Sequence, residues 1–560
     1  MSSRSQMLQS LRAALSHPST SVQLCLVGLA GGLIAAFVII IFRLILSLLH
    51  VSLLDGIGNY AHLDDVHRLA LPIIAVILII IVAKFTGFKH YRMGIPFVIH
   101  RVKQFYGHIP LRTTINQFFG GILALASGFV VGKEGPTVHL AASASHYVGR
   151  FLRLPFNSLR ILAGCGIAAG ISAAFNTPFA AVIFVMEVVL REYKVHIFIP
   201  IMLAAACGSV LTRAVFGDVS ELSFLNFEPV AVSQLPYLVL MGAIIGIFAS
   251  AFNKQLMWTM QIFRPVNMIG RLLIAAVITG TMGYFMPQSL GAEFINVDKL
   301  LTSDFEVSFL VAIFAAKFFL AVVAIALGVP GGIIGAVMVI GMLLGVLLLQ
   351  PLNVIIEHDM TTTYALLGLA GFLAAVLHAP MAALSAAMEL AASPQAVLPS
   401  MIVIVSAYVT AKQLCNNKSV FIQQLDYQNL PYTTSPIRDM LQQTGVLAMM
   451  KTDIKHFSMA QDKDLYDFLQ AHPDKTVINQ ASDKLSSAKI VELNISLDDN
   501  QQPITMHETI VLSEQHTIAD VHDVLQTKRQ GAVIVVDHNQ SIIGVITWNM
   551  VHNYLLRQQH

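Results

Sequence analysis

Charged residues are scarce in this 560-residue sequence: only 12% of the residues are Asp, Glu, Lys or Arg, whereas 56% are hydrophobic. Soluble globular proteins contain about 25% charged residues, so most of this surface is expected to face a medium other than water. The formal net charge is only +2. This small excess of positive charge does not indicate a basic surface for binding a polyanion, and it argues against nucleic acid as a partner.

Cysteine is also rare. The four cysteines, Cys25, Cys165, Cys207 and Cys415, lie far apart, and the first three fall in apolar segments. They have neither metal-ligand spacing nor the pattern of a disulfide framework. We interpret them as small buried hydrophobic residues and expect no cofactor and no metal site.

Long apolar runs are abundant instead. The first, Val22–Leu49, is interrupted only by Arg43 and is longer than a signal-peptide core, so we interpret it as a membrane helix. Further runs recur to about Lys412, and several are shorter than the ~20 residues of a simple span or are broken by Gly and Pro. Broken helices are tolerated in membranes only inside protein or beside a cavity. The pattern predicts an all-α polytopic membrane domain with half-helices around a permeation site.

The apolar region contains an internal repeat. Gly166–Pro178 and Gly368–Pro380 have the same length, and each is followed nine residues later by a glutamate, Glu187 or Glu389. A Gly/Pro-rich break precedes each copy. Transporters built from such related halves hold their substrate between them, so we predict an internal inverted repeat. Two GxxxG spacings should also permit close helix packing; these are Gly242/Gly246 and Gly341/Gly345.

The first of these breaks reads Gly132-Lys133-Glu134-Gly135-Pro136. Pro suits the first turn of a helix, and Gly lets backbone approach closely. Such a helix start presents unpaired N–H groups and the positive end of the helix dipole, which favour an anion. We predict that Glu134 competes with that anion as a gate, blocking when ionised and swinging away when protonated. The alternative is that Glu134 pairs with Lys133 or another base at the membrane surface.

Four motifs resemble those of the CLC family of chloride channels and chloride/proton transporters. Gly128–His139 is similar to the family signature with its gating glutamate, and Arg92–Pro96 to the first anion-binding loop. Gly164–Glu187 is similar to the repeat helix pair, and Gly328–Gly335 to the second anion-binding loop. The resemblance covers roughly residues 20–425. It implies a homodimer with one pore per subunit, embedded in the lipid of the cell membrane (the inner membrane of a bacterium). Both termini are then expected to be cytoplasmic.

The resemblance also implies which residues bind the anion, mainly through backbone N–H groups at helix starts. Besides the gate Glu134, they are Met93, Gly94, Ile95, Lys133, Gly135, Gly332, Ile333, Ile334 and Phe421.

Two of these residues depart from the family pattern. Met93 replaces the serine of the first loop, and Phe421 corresponds to the pore tyrosine, with Tyr427 close by as the alternative. No side-chain hydroxyl is then expected at the central ion, so backbone donors near Ile333 and Ile334 should do most of the binding. A methionine at the first position also occurs among fluoride-exporting relatives, whereas the Lys-Glu-Gly-Pro sequence favours chloride. The preferred substrate therefore stays open among chloride, nitrate and fluoride.

Proton coupling is also open. Family exchangers have a proton-relaying glutamate directly after the position of Glu187, but here that position is Val188, as in many passive channels. Glu187 and Glu389 are instead expected to make structural hydrogen bonds. The sequence therefore favours a chloride channel gated by voltage or pH through Glu134. The alternative is a proton-coupled chloride or fluoride antiporter.

After Asn416 charged residues return, and residues 436–560 are expected to form a cytoplasmic α/β regulatory domain. The predicted division of the rest of the chain is a cytoplasmic segment at 1–20 and a transmembrane domain at 21–425. The pattern predicts helix Thr517–Thr527, strands Ala532–Val536 and Ile542–Ile546, and a helix from Asn549. This order resembles a CBS motif at about 505–556, with a degenerate first copy at about 436–500. Met550 replaces the acidic residue of nucleotide-binding copies, so an adenine nucleotide and a purely structural, dimer-stabilising role both stay open.

Two other classes of protein are disfavoured. The membrane region lacks a His-x-x-x-His pair, paired catalytic Asp residues and a Gly-x-Ser-x-Gly elbow, so we do not expect an enzyme. Cation sites need clustered oxygen ligands, but acidic residues are sparse within the spans. Anion permeation is the function that the sequence favours.

Overall fold

The structure is a computed structural model, and it describes residues 3–19, 21–88, 93–217, 222, 224–301, 306–353, 358–433, 435–480, 488–493, 504–527 and 529–558. The chain divides into two compact units. The membrane unit comprises Leu26–Val148 and Ile161–Tyr432, and the terminal unit comprises Met1–Cys25, Gly149–Arg160 and Thr433–His560.

The membrane unit is helical. In the described part of the chain, nine helical segments are long and apolar enough to cross a membrane, which confirms the predicted polytopic fold. The N-terminal helix α1 (Ser3–Leu15) belongs to the terminal unit. The helices that follow are α2 (Val22–Leu54), α3 (Asp65–Thr86), α4 (Gly94–Gln104), α5 (Leu111–Ala126), α6 (Glu134–Phe151), α7 (Phe156–Phe175), α8 (Pro178–Phe184), α9 (Val195–Phe216), α10 (Leu235–Ile262), α11 (Met268–Phe285), α12 (Phe294–Leu301), α13 (Val307–Ala326), α14 (Ile334–Leu349), α15 (Thr361–Leu377), α16 (Pro380–Ala391), α17 (Val397–Val409) and α18 (Val420–Tyr427).

Proline breaks the two repeat segments at equivalent places. Pro178 starts α8 just after α7, and Pro380 starts α16 just after α15. Two residues before each proline, Asn176 and His378 both have a φ of 57°. Proline cannot continue the preceding helix but fits the first turn of a new one. The repeated sequence therefore produces the same helix, kink and half-helix twice, as the spacing predicted.

Glycines permit close contact between the longest helices. A Cβ atom on Gly246 of α10 would come within 2.5 Å of the Ala407 carbonyl oxygen in α17. A Cβ on Gly341 of α14 would come within 2.8 Å of the Gly368 carbonyl oxygen in α15. Both predicted GxxxG pairs therefore lie at helix contacts, because only glycine leaves room for backbone at this distance.

The terminal unit contains a six-stranded sheet in the order β1 to β6. Two β-α-β-β halves follow one another: in each, the first two strands are parallel and the last two antiparallel, and an antiparallel β3–β4 pair joins the halves. The elements are α19 (Pro436–Leu441), β1 (Ile454–Ser458), α20 (Asp462–Ala471), β2 (Thr476–Gln480), β3 (Ala488–Leu493), β4 (Ile504–Ser513), α21 (Ile518–Leu525), β5 (Ala532–Val536), β6 (Ile542–Thr547) and α22 (Trp548–Gln558).

The second half agrees with the predicted helix and strands, and its helix α21 begins with a capping box between Thr517 and Asp520. The degenerate first copy corresponds to the β1–β3 half, although residues 481–487 and 494–500 of that prediction lie outside the described residues. The N-terminal helix α1 belongs to the same unit. Arg12 on α1 forms a buried ion pair with Glu514 at 3.0 Å and also donates to the Leu152 carbonyl oxygen.

Candidate anion-permeation site

The two Gly/Pro-rich breaks meet inside the membrane unit. The Gly132 N–H donates to the Gly332 carbonyl at 2.8 Å, and the Gly332 N–H donates to the Gly132 carbonyl at 2.6 Å. The pair forms a one-residue antiparallel bridge. Side chains do not fit here, because a Cβ on Gly332 would lie 2.5 Å from the Gly135 nitrogen. The loops that the repeat predicted to be equivalent therefore contact each other directly.

Four helices begin around this bridge, at Gly94 (α4), Glu134 (α6), Ile334 (α14) and Val420 (α18). A cavity of about 530 Å³, here called the Phe421 cavity, is lined by residues at or next to all four starts. Helix N-termini carry unpaired N–H groups and a partial positive charge, so their convergence favours an anion over a cation in this cavity. Seven of the predicted anion-binding residues line it: Met93, Gly94, Ile95, Gly135, Gly332, Ile333 and Phe421. Arg92 lies outside the described residues.

The charges along this cavity have one sign. Among its described lining residues, only Arg264 and Arg271 are charged. Arg264 lies just after α10, and Arg271 lies in the first turn of α11. Sequence reasoning missed them, although two arginines so close together at the ends of apolar helices were a detectable signal. Their positive potential attracts anions and repels cations.

Glu134, the residue predicted to act as a gate, lies next to two cavities. Its side chain is buried, with 3% exposure, and its carboxylate contacts the glycine backbone around the bridge: Oε1 would lie 3.0 Å from a Cβ on Gly335. Glu134 lines a second cavity of about 430 Å³, here called the Glu293 cavity, whereas the next residue, Gly135, lines the Phe421 cavity. Glu134 and Gly135, neighbours in sequence, therefore face different cavities.

Two predicted residues lie beside the gate instead of in the Phe421 cavity. Lys133 lines the Glu293 cavity, with its ammonium 4.5 Å from the centre of the Phe175 ring. Ile334 lines a small apolar cavity of about 70 Å³, together with Glu134 and Met338. The structure thus divides the predicted set between the two sides of Glu134.

Hydroxyl groups are rare at the anion site. Neither Met93 nor Phe421 has one, and among the other described residues of the Phe421 cavity only Tyr427 does. The Tyr427 hydroxyl donates to the Met260 carbonyl at 2.8 Å. The donors that this cavity offers to an anion are therefore N–H groups of the backbone and of side-chain amides, in place of hydroxyls.

The position of the family's proton-relaying glutamate is apolar and buried. Val188 lies in the π-helical turn Val185–Leu190 that continues α8. The next carboxylate along the chain, Glu192, forms an ion pair with Lys103 at 3.4 Å.

Glu293 is a further acidic residue that sequence reasoning missed, because no motif contains it. It lines the cavity named after it, and its Oε1 accepts from the Tyr60 hydroxyl at 3.4 Å and lies 3.8 Å from His50 Nε2. Burial raises the pKa of Glu293, while His50 and Lys317 oppose that shift. The Lys317 ammonium donates to the carbonyls of Ser289, Leu290 and Gly291.

Comparisons with known proteins agree with this geometry. The family model described as voltage gated chloride channel matches residues 74–412. The H(+)/Cl(-) exchange transporter ClcA of Vibrio parahaemolyticus is 26% identical over 320 residues, which cover 55% of this chain and 68% of that protein.

Two solved structures share the fold. A slow cyanobacterial Cl-/H+ antiporter matches with a TM-score of 0.63 at 20% identity, covering 74% of this chain and 98% of that chain. A eukaryotic CLC transporter matches with a TM-score of 0.60 at 18% identity, covering 97% and 98%. The chain belongs to the voltage gated chloride channel family, and it is a multi-pass membrane protein for anion transport.

Proposed function

We propose that this protein exchanges small anions, chloride foremost, for protons across the cell membrane, through the Phe421 cavity and past Glu134. The observation that carries this proposal is the position of the Glu134 carboxylate, buried among the glycines where four helix starts converge. An ionised carboxylate at that place excludes an anion by charge and by volume. Protonation removes the charge, and the neutral side chain then moves away so that the anion can occupy the site.

The site attracts anions without holding them tightly. Arg264 and Arg271 raise the local anion concentration, and the helix starts supply N–H donors. Hydrogen bonds to charged groups contribute roughly 1.5–3 kcal/mol each, and the hydroxyls that Met93 and Phe421 lack would have supplied two. We therefore expect weak binding, which suits an ion that must leave again.

Two observations bear on coupling. The relative from Vibrio parahaemolyticus and the cyanobacterial neighbour are named as chloride and proton exchangers, which supports antiport. Val188 supports the second candidate, a passive channel gated by Glu134, since it cannot relay protons. If antiport operates, protons must reach Glu134 by a route that does not use position 188.

Fluoride is the main competing substrate. A solved CLC-type fluoride/proton antiporter matches with a TM-score of 0.61 at 24% identity, covering 72% of this chain and 97% of that chain. Met93 is the feature of this chain that favours fluoride, whereas the sequence Lys133–Pro136 favours chloride.

The remaining inferences concern assembly and the tail. Family membership supports a homodimer with both termini cytoplasmic and a transmembrane domain at 21–425. Exposed apolar side chains on α9 and α17, such as Leu203 and Val405, suit contact with lipid or a second subunit. The two β-α-β-β halves support a CBS-type regulatory domain at 436–560. With Met550 in the acidic position, a structural role is better supported than nucleotide binding.

Reconstitution in liposomes tests the function. Anion efflux and internal pH are recorded together, with chloride, nitrate or fluoride as the anion. Antiport predicts uphill proton movement driven by an anion gradient. Anion efflux without proton movement would favour the channel, and no efflux of any of the three anions would contradict anion transport.

A further inference from the structure

A buried amide that has no hydrogen-bond partner in the described part of the chain lines the Phe421 cavity. Gln117 of α5 is 1% exposed and lines that cavity. Neither its Nε2 nor its Oε1 has a hydrogen-bond partner among the described residues. Leaving a buried polar group unsatisfied costs about 1–3 kcal/mol, so such groups usually have a partner that enters from elsewhere.

The face of α5 that carries Gln117 packs against both Gly/Pro-rich loops. Gly120 and Gly121 follow Gln117 by three and four residues, so all three share one face of the helix. A Cβ on Gly120 would lie 3.0 Å from Pro330, and one on Gly121 would lie 2.7 Å from Pro136. The Gln117 side chain therefore lies about one helical turn from the place where the two loops meet.

We propose that Gln117 contacts the transported anion and helps to determine specificity. Its Nε2 amide donates a hydrogen bond to the anion in the Phe421 cavity, in place of the hydroxyls that Met93 and Phe421 do not have. This inference rests on the proposed anion transport and adds a ligand to the same site. The ligand class is a small monovalent anion with a strong acceptor.

The chemistry of an amide sets the direction of the preference. An amide N–H is neutral and directional, so it stabilises an anion in proportion to how strongly the anion accepts. Fluoride and chloride gain more from it than nitrate, whose charge is spread over three oxygens. Arg264 and Arg271, by contrast, attract every monovalent anion alike. Gln424, Gln428 and Asn429 also line this cavity, but Gln117 is the amide there whose Nε2 and Oε1 both lack a partner among the described residues, so its N–H group is available to discriminate among anions.

The chain offers a matched control. Gln442 in the terminal unit is also 1% exposed, its two amide atoms also have no partner in the described structure, and it does not line the Phe421 cavity. If Gln117 and Gln442 are merely buried amides, Gln117→Leu and Gln442→Leu should have the same effect. Only Gln117→Leu should change anion binding if the proposal holds.

The experiment uses the purified full-length chain. Chloride and nitrate binding is measured by calorimetry, and the relative efflux of the two anions is measured in liposomes. Gln117→Leu should weaken chloride binding roughly tenfold, the loss of one hydrogen bond to a charged partner, and lower the chloride-to-nitrate flux ratio. Gln442→Leu should leave both unchanged, and Gln117→Asn, which keeps the amide on a shorter chain, should fall between wild type and Gln117→Leu.

Folding is checked by the melting temperature, which should not fall in Gln117→Leu, since the change removes an unsatisfied amide. If Gln117→Leu does not fold, Gln117→Met replaces it at similar volume. Wild-type chloride binding and flux ratio in a folded Leu or Met variant would overturn the proposal. A wild-type protein that neither binds nor transports anions would instead overturn the proposed function itself.

Discussion

Glu187 and Glu389 cap each other's repeat helices. The Glu187 carboxylate accepts from the Ala382 N–H at 2.7 Å, at the start of α16. The Glu389 carboxylate accepts from the Ala180 N–H at 2.8 Å, at the start of α8. A carboxylate at a helix N-terminus satisfies unpaired N–H groups and interacts favourably with the dipole. The structural role predicted for both residues is thus confirmed, and it couples the two halves of the repeat.

Removing either carboxylate should destabilise the membrane unit to a similar extent. Glu187→Ala and Glu389→Ala each leave two backbone N–H groups without their acceptor. We expect each to lower the free energy of unfolding by about 2 kcal/mol, the scale of hydrogen bonds to a charged group. Thermal unfolding in detergent measures this, with the exposed Glu306→Ala as the control. A large effect for one residue and none for the other would contradict reciprocal capping.

Adding one methyl group at the glycine bridge should strongly reduce transport. A Cβ on Gly132 would lie 2.7 Å from the Gly335 nitrogen, besides meeting the Glu134 carboxylate, so Gly132→Ala must move the loop or the gate. We expect chloride efflux from liposomes to fall at least tenfold, because misplacing a site by about 1 Å can cost ~100-fold. Gly87→Asn is the control: that residue has a φ of 67°, which Asn tolerates. Normal efflux in Gly132→Ala would mean that the bridge is not needed.

Glu293 should make stability depend on pH. This residue lies outside the membrane-spanning segments, and burial raises its pKa. The folded protein then holds the proton more tightly than the unfolded chain. The contribution of Glu293 to the free energy of unfolding is therefore full below the ordinary carboxyl pKa and is lost as the pH rises through the raised pKa.

Melting temperatures of wild type and Glu293→Gln between pH 4 and 8 measure this dependence. The glutamine variant mimics the neutral carboxyl, so we expect it to gain stability relative to wild type as the pH increases. Glu306→Gln, at an exposed carboxylate, should run parallel to wild type. A Glu293→Gln curve that also stays parallel to wild type would show that Glu293 does not titrate in this way.

The ion pair between Arg12 and Glu514 should stabilise the terminal unit. Both side chains are buried, so Arg12→Met leaves the Glu514 charge without its partner, which typically costs about 3–5 kcal/mol. Hydrogen exchange of the β4 amides in the full chain should accelerate accordingly, and Arg12→Met/Glu514→Leu should restore most of the protection. Lys475→Met, which breaks an exposed pair with Asp453, should have an effect below about 1 kcal/mol. Unchanged protection in Arg12→Met would contradict the role of this pair.

Local patterns in the sequence were sufficient for much of the fold. The breaks at Pro178 and Pro380, the glycine-mediated helix contacts and the strands of the second β-α-β-β half all depend on neighbours in sequence. The helix starts around Gly94 and Ile334 were also predictable, because Pro restricts the backbone and Gly permits conformations that other residues avoid, both of which are local effects. The two segments predicted to be anion-binding loops do precede helix starts; their anion binding stays a prediction.

Other features depend on tertiary contacts between distant segments. Gln117 and Glu293 lie in no motif, and only the packing of α5 and of the segment before α12 brings them to the two cavities. Lys133 illustrates the same limit: it is adjacent in sequence to Glu134 and two residues from Gly135, yet it lines a different cavity from Gly135. Which side of the gate a residue faces is a property of the folded backbone, not of spacing in the sequence.

The pH dependence of chloride flux in Glu134→Gln tests the central claim most directly. The claim is that the Glu134 carboxylate blocks the anion path when ionised and opens it when protonated. Reconstituted wild-type protein should therefore transport chloride faster as the pH falls. Glu134→Gln should transport chloride at every pH, with no pH dependence and no coupled proton movement. A Glu134→Gln protein that keeps the wild-type pH dependence would contradict the assignment of Glu134 as the gate.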